Sequence, residues 1–331
     1  MSFDFPTAKV EYLAPEKVST IGVVGTGSVG ASWTALFLAH GMNVVAYDPA
    51  AGSADRTRAF VRDAWPSLMD LKGTPERKVP EHLLRFVSTL EAVAVDSDVI
   101  QENVPERADV KALVISTLDA HASPEKILLS STGGIPPTVL QQSCKRPERF
   151  VVVHPFNPTH LVPLVEVVGG QRTSPEVVSW AMAFSRKVGK HPIRLKREAP
   201  GHMTNRLQFA LLREAVHCLI EDVASPSDID AAIRYGLGPR WALMGSLLTL
   251  HLAGGAGGMQ GILNHAGDAI ETWWAALGQP HLGPDVRKTL IEAAKEVALG
   301  HSIDDWVSWR DHNLTQVLKL MNRDPEPKPV A

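Results

Sequence analysis

Residues 21–48, IGVVGTGSVGASWTALFLAHGMNVVAYD, contain the pattern that decides the fold. The first four residues form a short apolar run, typical of a strand buried on both faces. Gly25, Gly27 and Gly30 follow in the spacing G-x-G-x-x-G and lead into a segment with helical periodicity. A second apolar run then ends at Asp48. The order strand, glycine turn, helix, strand and acid predicts a βαβ unit.

Each feature of this unit has a physical use in binding a dinucleotide. The first glycine permits a tight turn, the second lets the backbone approach a pyrophosphate, and the third lets the helix pack closely on the strand. The backbone N–H groups of Ser28 and Val29 open the helix and face that phosphate. Asp48 would bind the ribose hydroxyls and repel a 2′-phosphate, and the nearest arginine is Arg56. The sequence therefore predicts NAD rather than NADP.

The bulk composition excludes several classes of protein. The chain has 331 residues and a formal charge of −3, which gives no indication of nucleic-acid binding. No apolar run reaches the ~20 residues that a membrane helix needs. Cys144 and Cys218 are too few and too far apart for a metal cluster, and we expect reduced thiols in a cytoplasmic protein without a metal site.

The hydrophobic pattern divides the chain into parts. Strands and helices alternate over 19–198, which predicts an α/β, doubly wound Rossmann-type sheet that is mainly parallel. From 199 to 321 the periodicity is almost entirely helical, which predicts an all-helical substrate domain that also mediates a homodimer. Residues 1–18 are expected to form an extension, and 322–331, rich in proline and charge, a disordered tail.

Three residues could act on an alcohol substrate, as a base, as a group that orients the base and as a donor to the oxygen. His154 lies at the carboxyl end of a predicted strand, where ligands bind in open α/β sheets, and histidine suits proton transfer near neutrality. Glu166 lies within the apolar strand PLVEVV, where a carboxylate needs a polar partner, and His154 on the neighbouring strand is the nearest candidate. Asn205 lies in the first turn of the first helix after the domain boundary. A strand-end histidine and a helix-capping asparagine are also common as purely structural residues, so the hypothesis depends on the set.

These residues lie in motifs that resemble the L-3-hydroxyacyl-CoA dehydrogenase superfamily. The motifs are HPFNP at 154–158, VEVV at 165–168 and GHMTNRL at 201–207, and the similarity covers 19–275 in order. The resemblance implies that the histidine and glutamate of these motifs form the catalytic pair and that the asparagine binds the substrate oxygen. It also implies that Glu106 and Lys111 reach the nicotinamide side of the cofactor.

The chain departs from the superfamily at one position. The family usually has a serine whose hydroxyl contacts the substrate oxygen, and here that position is Gly133 in the turn SSTGG. Losing one hydrogen bond to a reacting oxygen costs ~1–3 kcal/mol. Ser131 or Thr132 could replace the missing hydroxyl, a water could replace it, or the substrate could have a different shape.

Two further stretches indicate a branch of the superfamily. Residues 232–245 and 252–259 resemble the L-carnitine dehydrogenase branch, and they resemble the L-gulonate dehydrogenase (lambda-crystallin) branch less closely. Acyl-CoA members carry a long, lysine-rich excursion after the second strand, whereas residues 50–87 here are shorter and mixed in charge. The pattern favours a free hydroxy acid over a CoA thioester.

Carnitine would need an aromatic surface for its trimethylammonium group and a cation for its carboxylate. Phe156 and Trp241 are candidates for the first role and Arg240 for the second; the other candidates are Trp33, Trp273, Trp274 and Arg234. The hypothesis is NAD-dependent oxidation of the 3-hydroxyl of L-carnitine or a close analogue. The alternatives are an L-3-hydroxyacyl-CoA dehydrogenase, an L-gulonate 3-dehydrogenase and a non-catalytic NAD-binding protein like a lens crystallin.

Overall fold

The computed structural model describes residues 10–323, which divide into two compact units after Asn205. The first unit is built on an eight-stranded sheet of order β3-β2-β1-β4-β5-β6-β7-β8. Its strands are β1 Thr20–Val24, β2 Asn43–Tyr47, β3 Leu84–Phe86, β4 Val99–Glu102, β5 Leu128–Ser130, β6 Phe150–Pro155, β7 Leu164–Gly169 and β8 His191–Arg194. Every neighbouring pair is parallel except β6 and β7, which confirms the predicted doubly wound, mainly parallel sheet.

Helices cover both faces of this sheet, as parallel strands joined by crossover helices require. They are α1 Ser28–Ala39, α2 Ser53–Lys72, α3 Leu90–Asp96, α4 Ala108–His121, α5 Pro137–Gln141 and α6 Pro175–Lys187. Alternate residues of β6 enter different cores, with Val151 and Val153 on one face and Phe150 and Val152 on the other. His154 continues the second set, because side chains of a strand alternate between faces.

Strand β7 runs antiparallel to β6, and this pairing determines the register of two candidate residues. His154 lies directly opposite Glu166 in the ladder. Directly opposed residues on one face of an antiparallel pair have neighbouring side chains. The hairpin therefore brings together two residues that are separated by twelve positions in the chain.

The second unit is helical. After α7 (Thr204–Ile220), which crosses the division, its helices are α8 Pro226–Ala231, α9 Gly238–Leu243, α10 Ser246–Ala253, α11 Gly258–Ala276, α12 Pro284–Val297 and α13 Ile303–Arg323. A π-helical turn, Ala232–Leu237, joins α8 to α9. The structure divides the chain after Asn205, whereas the sequence pattern changes at 199. The predicted domain scheme remains a prediction.

Helix α4 begins at Ala108, because the backbone N–H of Arg107 bonds to the carbonyl of Pro105 in a separate turn. Residues 10–18 lie on the first unit, with Trp180 Nε1 donating to the carbonyl of Leu13 at 2.5 Å. The predicted extension at 1–9 and tail at 324–331 lie outside the described residues. Among residues 10–323, no helix is both long and apolar enough to cross a membrane.

Candidate active site

The glycine turn has the geometry that the sequence predicts. Gly25 has a φ of 79°, in the left-handed region that favours glycine. A Cβ added at Gly30 would lie 1.9 Å from the carbonyl oxygen of Gly25, so no side chain fits there. A Cβ added at Gly27 would meet no atom within 4 Å. The protein itself therefore does not require a glycine at position 27, and the open space suits the approach of a phosphate.

Asp48 fastens this turn to the end of β2. Its Oδ2 accepts from the backbone N–H of Thr26 at 2.7 Å, and its Oδ1 accepts from the N–H of Ala50 at 2.9 Å. Arg56, the nearest arginine in the sequence, donates to the carbonyl of Ala51 at 2.8 Å. These residues fit a dinucleotide whose adenosine ribose carries free hydroxyl groups.

A cavity of about 910 Å³ runs along the carboxyl ends of the strands in the first unit. Its lining includes the glycine turn (Gly25, Gly27, Ser28 and Val29), Asp48, the segment 103–106, Lys111, Ser131, Gly133, His154 and Asn157. The cofactor candidates and His154 thus share one cavity, which is large enough for a dinucleotide and a small substrate. Among residues 10–323, no group of three or more metal-ligating side chains occurs.

His154 and Glu166 form a buried pair at one end of this cavity. The Nδ1 of His154 lies 2.9 Å from Oε2 of Glu166, and the glutamate is fully buried. Because a carboxylate can only accept, Nδ1 carries the proton. In the neutral ring Nε2 then has a free lone pair, so the pair can accept a proton at Nε2 and stabilise the resulting imidazolium.

The second oxygen of Glu166 is held by the start of α7. Oε1 accepts from the backbone N–H groups of Met203 (3.1 Å) and Thr204 (2.8 Å) and from the Thr204 hydroxyl (3.0 Å). Burial pushes the pKa of Glu166 upward, but the bonds from His154 and Thr204 outweigh it and hold this pKa below its usual value. The carboxylate therefore remains ionised opposite the histidine.

Gly133 lines the cavity beside His154, and Asn205 contacts Gly133. Nδ2 of Asn205 donates to the carbonyl of Gly133 at 2.8 Å. A Cβ built on Gly133 would lie 3.2 Å from Nε2 of His154 and 3.4 Å from Nδ2 of Asn205. The glycine thus faces the space between the ring nitrogen and the amide, where the reacting oxygen of a substrate would lie.

Glu106 and Lys111 join the cofactor side of the cavity to the turn around Gly133. The buried amine of Lys111 lies 2.8 Å from Oε1 of Glu102 and 3.6 Å from Oε2 of Glu106. Oε1 of Glu106 accepts from the Thr132 hydroxyl at 2.6 Å. Both residues line the cavity, but the structure gives each of them a partner within the protein, and their contact with the nicotinamide remains a prediction.

The comparison with known protein families covers nearly the same span as the two units. Residues 20–199 match the 3-hydroxyacyl-CoA dehydrogenase NAD binding domain, and residues 201–296 match the 3-hydroxyacyl-CoA dehydrogenase C-terminal domain. The chain belongs to the 3-hydroxyacyl-CoA dehydrogenase family. It is an NAD-dependent oxidoreductase with the Rossmann-type fold of that family.

Individual members of the 3-hydroxyacyl-CoA dehydrogenase family differ in substrate. The L-carnitine dehydrogenase of Streptomyces griseus is 43% identical to this chain over 312 residues, which cover 94% of this chain and 92% of that protein. The L-carnitine dehydrogenase of Bacillus cereus is 40% identical over 315 residues, or 95% and 96% of the two chains.

Solved structures give the same family. 5-Formyl-3-hydroxy-2-methylpyridine 4-carboxylic acid 5-dehydrogenase, an NAD+ dependent dismutase, is 28% identical with a TM-score of 0.79, and the match covers 92% of this chain and 99% of that chain. The 3-hydroxybutyryl-CoA dehydrogenase of Escherichia coli is 32% identical with a TM-score of 0.61, over 72% and 50% of the two chains.

Gly133 occupies the position of the serine expected from the resemblance to the family, and the neighbouring hydroxyls do not replace it. The Ser131 hydroxyl already makes three hydrogen bonds, to Trp33 Nε1 (3.0 Å), Gln101 Nε2 (2.8 Å) and Asn103 Oδ1 (2.7 Å). The single proton of the Thr132 hydroxyl is donated to Glu106. Since a hydroxyl has one donor, neither can donate to a substrate oxygen. Two explanations for the missing hydroxyl remain: a water molecule takes its place, or the substrate has a different shape.

The aromatic candidates for the substrate site occupy different environments. Trp33 is 1% exposed and stacks on Phe37, so its prediction as a substrate contact is wrong: it is a core residue whose Nε1 supports Ser131. The ring of Phe156 meets that of His154 edge to face at 4.6 Å. Arg240 and Trp241 lie in α9 of the second unit, and their contact with substrate remains a prediction.

Sequence reasoning missed four residues of this site: Glu102, Asn157, His202 and Thr204. Glu102 is the last residue of β4, just as Asp48 follows the last residue of β2. Its position at a strand end could therefore have indicated a site residue. Asn157 lies within the HPFNP motif and lines the cavity. Thr204 and His202 lie within the GHMTNRL motif, but their roles arise from contacts with Glu166 and Thr132, more than 35 residues away in the chain.

Proposed function

We propose that this chain oxidises the 3-hydroxyl of a small free hydroxy acid, L-carnitine or a close analogue, to the 3-oxo acid with NAD. The observation that carries the proposal is the His154–Glu166 pair with Asn205 at the end of the cofactor cavity. The choice of substrate rests on the 43% identity to an L-carnitine dehydrogenase across nearly the whole chain.

His154 acts as the base in this proposal. Its Nε2 removes the proton of the substrate hydroxyl. NAD, held by the glycine turn and Asp48, would supply the acceptor for the hydride from the carbon that carries this hydroxyl. The alcohol loses two electrons and two protons in total, one proton to the imidazole and one as part of the hydride. Glu166, through Nδ1, keeps the required tautomer and stabilises the imidazolium.

Asn205 positions the oxygen. Its amide nitrogen has two N–H bonds and uses one on the carbonyl of Gly133. The other can donate to the substrate oxygen as the C–O bond gains double-bond character. Because Gly133 supplies no hydroxyl, the oxygen depends on this amide and on the imidazolium more than it would beside a serine.

The contacts of α2 favour a free acid over a CoA thioester. The three arginines of the helix that could hold phosphate groups each have a partner: Arg56 the carbonyl of Ala51, Arg58 the carbonyl of Leu84, and Arg62 the carboxylate of Glu81. A CoA phosphate would have to displace these bonds. The rival function, 3-hydroxyacyl-CoA oxidation, is supported by the 32% identity to a 3-hydroxybutyryl-CoA dehydrogenase.

Phe156 is the aromatic surface that we assign to the trimethylammonium group. It is placed beside His154, so one substrate could contact both the ring and the base. A quaternary ammonium has no hydrogen-bond donor and is attracted to an aromatic face. Arg240 and Trp241 are proposed as further substrate contacts, with the arginine binding the carboxylate.

The experiment that tests the function is NADH formation by the purified protein with three substrates in parallel, L-carnitine, L-gulonate and L-3-hydroxybutyryl-CoA. A preference for L-carnitine supports the proposal. A preference for either other substrate assigns that branch and overturns the carnitine assignment. Absence of turnover with all three, together with NAD binding measured by fluorescence, supports the non-catalytic alternative.

Replacing the base tests the mechanism. We expect His154→Ala to lower kcat by about a hundredfold or more, because general-base catalysis contributes that much, while the Kd for NAD stays unchanged. His191→Ala, which removes an exposed histidine of β8 outside the cavity, is the matched control. If His154→Ala keeps most of the turnover, the assignment of the base is wrong.

We also infer a cytoplasmic homodimer formed through the helical unit. Free thiols at Cys144 and Cys218 suit a reducing compartment. The second unit exposes many large apolar side chains, among them Leu247 (76%), Trp274 (67%) and Trp273 (62%). Apolar surface of this extent is typical of a protein interface, and a second copy of the same unit is the partner that we propose.

A further inference from the structure

One short segment connects the turn at Gly133 with the acid–base pair. Three consecutive carbonyls of the turn 132–134 each accept one hydrogen bond from the segment 201–205, which we call the clip. The donors are His202 Nε2 to Thr132 (3.1 Å), Asn205 Nδ2 to Gly133 (2.8 Å) and the Gly201 N–H to Gly134 (3.3 Å). The remaining two residues of the clip donate to Glu166. The clip therefore sets the position of the turn relative to the His154–Glu166 pair.

No step of the proposed reaction uses the side chain of His202. It is fully buried, and its φ of 50° lies in a region that non-glycine residues rarely adopt. Its ring centroid lies 5.3 Å from that of His154. Burying an imidazole beside the base costs free energy, because it brings a second titratable group next to a ring that must become charged. Packing alone therefore does not explain this residue.

The hydrogen bonds of His202 determine its tautomer. The carbonyl of Thr132 can only accept, so Nε2 carries the proton. Nδ1 is buried and has no hydrogen-bond partner among residues 10–323. A proton on Nδ1 would therefore be an unsatisfied charged donor, and the arrangement suits only the neutral ring.

The groups around His202 shift its pKa in opposite directions. Burial lowers the pKa of His202 below its ordinary value, and the charge of His154 lowers it further. The bond to Thr132 and the carboxylates of Glu166 and Glu106 oppose this change but do not reverse it. The ring is therefore neutral at pH 7 and becomes charged only in more acidic solution.

We propose that neutral His202 is a positioning residue for proton transfer, holding the Thr132–Gly133 backbone against the acid–base pair. It does so through Nε2, and through that backbone it sets where the Asn205 amide and the substrate oxygen lie. When His202 gains a proton, a second cation stands beside His154 and opposes formation of the imidazolium. The inference rests on the proposed function, since it concerns the same proton transfer.

Two variants separate the hydrogen bond from the packing. His202→Gln keeps an N–H donor that can reach Thr132 and removes the titratable ring, whereas His202→Phe keeps the ring volume and removes the donor. Thermal melting shows that each variant is folded, and kcat and KM are measured with the best substrate of the wild type from acidic to mildly alkaline pH.

We expect His202→Gln to keep kcat at neutral pH within about threefold, because the donor is retained. At the acid end its kcat should exceed that of the wild type by about tenfold, because no second cation forms. His202→Phe should lose about tenfold or more in kcat at neutral pH with an unchanged KM for NAD, because the turn loses its bond at Thr132 and is held less exactly. A Phe variant with wild-type kcat, or a Gln variant with the acid profile of the wild type, overturns the proposal.

Nuclear magnetic resonance of the imidazole nitrogens tests the proposal without turnover. The signals lost in His202→Gln identify this ring, and we expect a neutral ring with the proton on Nε2 at pH 7. A proton on Nδ1, or a charged ring at pH 7, overturns the inference even if the enzyme oxidises L-carnitine. Conversely, a wild type that prefers another substrate refutes the carnitine assignment and leaves this result standing.

Discussion

At the scale of single residues, the most informative position is Gly133, which has no side chain at the point where the base and the amide converge. His154 Nε2 and Asn205 Nδ2 lie 3.2 Å and 3.4 Å from where its Cβ would be. The 3.2 Å separation is tighter than most contacts of a Cβ atom, so a serine at this position would require the imidazole of His154 to shift slightly. The absence of a hydroxyl at position 133 is therefore linked to the close approach of the His154 imidazole and the Asn205 amide.

We expect Gly133→Ala to lower kcat by about tenfold, because the new methyl group displaces the imidazole or the amide by a few tenths of an ångström. Gly134→Ala is the matched control, since its Cβ would lie at ordinary contact distances of 3.5 Å and 3.6 Å from Gly201. Steady-state kinetics with L-carnitine compare the two. Equal kcat values for both variants would show that position 133 tolerates a side chain.

At the scale of elements, the glycine turn separates the requirements of the fold from those of the cofactor. Gly30 packs against the carbonyl of Gly25, whereas Gly27 faces open space. The three glycines of one motif therefore serve different purposes, as the sequence pattern predicts.

This difference predicts opposite outcomes for two alanine variants. Gly30→Ala should lower the melting temperature strongly or prevent folding, because its Cβ would lie 1.9 Å from a backbone oxygen. Gly27→Ala should melt like the wild type but raise the KM for NAD by about tenfold or more, because the methyl group occupies the path of the pyrophosphate. Calorimetry and kinetics measure the two effects. An unchanged KM for NAD in Gly27→Ala would contradict the phosphate assignment.

A buried lysine, Lys190, lies just before β8 and bonds to the connection between β6 and β7. Nζ of Lys190 donates to the carbonyls of Thr159 and Val162, the latter at 2.8 Å, and lies over the ring of Trp33. Burial lowers the pKa of Lys190 from 10.5 to about 7. Between these values the unfolded chain binds a proton that the folded protein has released, so the free energy of unfolding rises with pH in this window.

Lys190→Met should remove that dependence. We expect the melting temperature of the wild type, relative to that of Lys190→Met, to rise as the pH increases from 7 to 10.5. Lys187→Met is the control, because Lys187 also donates to backbone carbonyls but lies closer to solvent. A constant difference between the wild type and Lys190→Met across this range would mean that the lysine keeps its proton in the folded state.

At the scale of the whole molecule, the exposed apolar side chains of the helical unit predict self-association. Light scattering of the wild type should give the mass of two chains at micromolar concentration. A double variant, Leu247→Glu with Trp274→Glu, should shift the protein toward one chain, because charges in an apolar interface are costly to bury. Val95→Glu, at an exposed apolar residue of the first unit, is the control. A monomeric wild type would refute the dimer.

Local features of the sequence account for most of the fold. Glycine spacing, strand-end acids and the change from alternating to purely helical periodicity are short-range properties, and each predicts its element without knowledge of the rest. The prediction of His154 and Glu166 as a pair also follows from a short hairpin. The role of Glu106 could not be read from local sequence, because this carboxylate accepts a hydrogen bond from the hydroxyl of Thr132 in a distant turn.

By itself the sequence determined the Rossmann-type unit and the preference for NAD, and it predicted His154 and Glu166 as the acid–base residues, because these depend on local backbone requirements and on the chemistry of individual side chains. Only the tertiary structure decided which polar side chains are engaged by contacts within the protein and which can still bind a ligand. It placed Trp33 in the core against Ser131, joined Thr132 to Glu106, and set His202 against His154. Such contacts join residues far apart in the chain, and their geometry exists only once the strands have paired and the helices have packed.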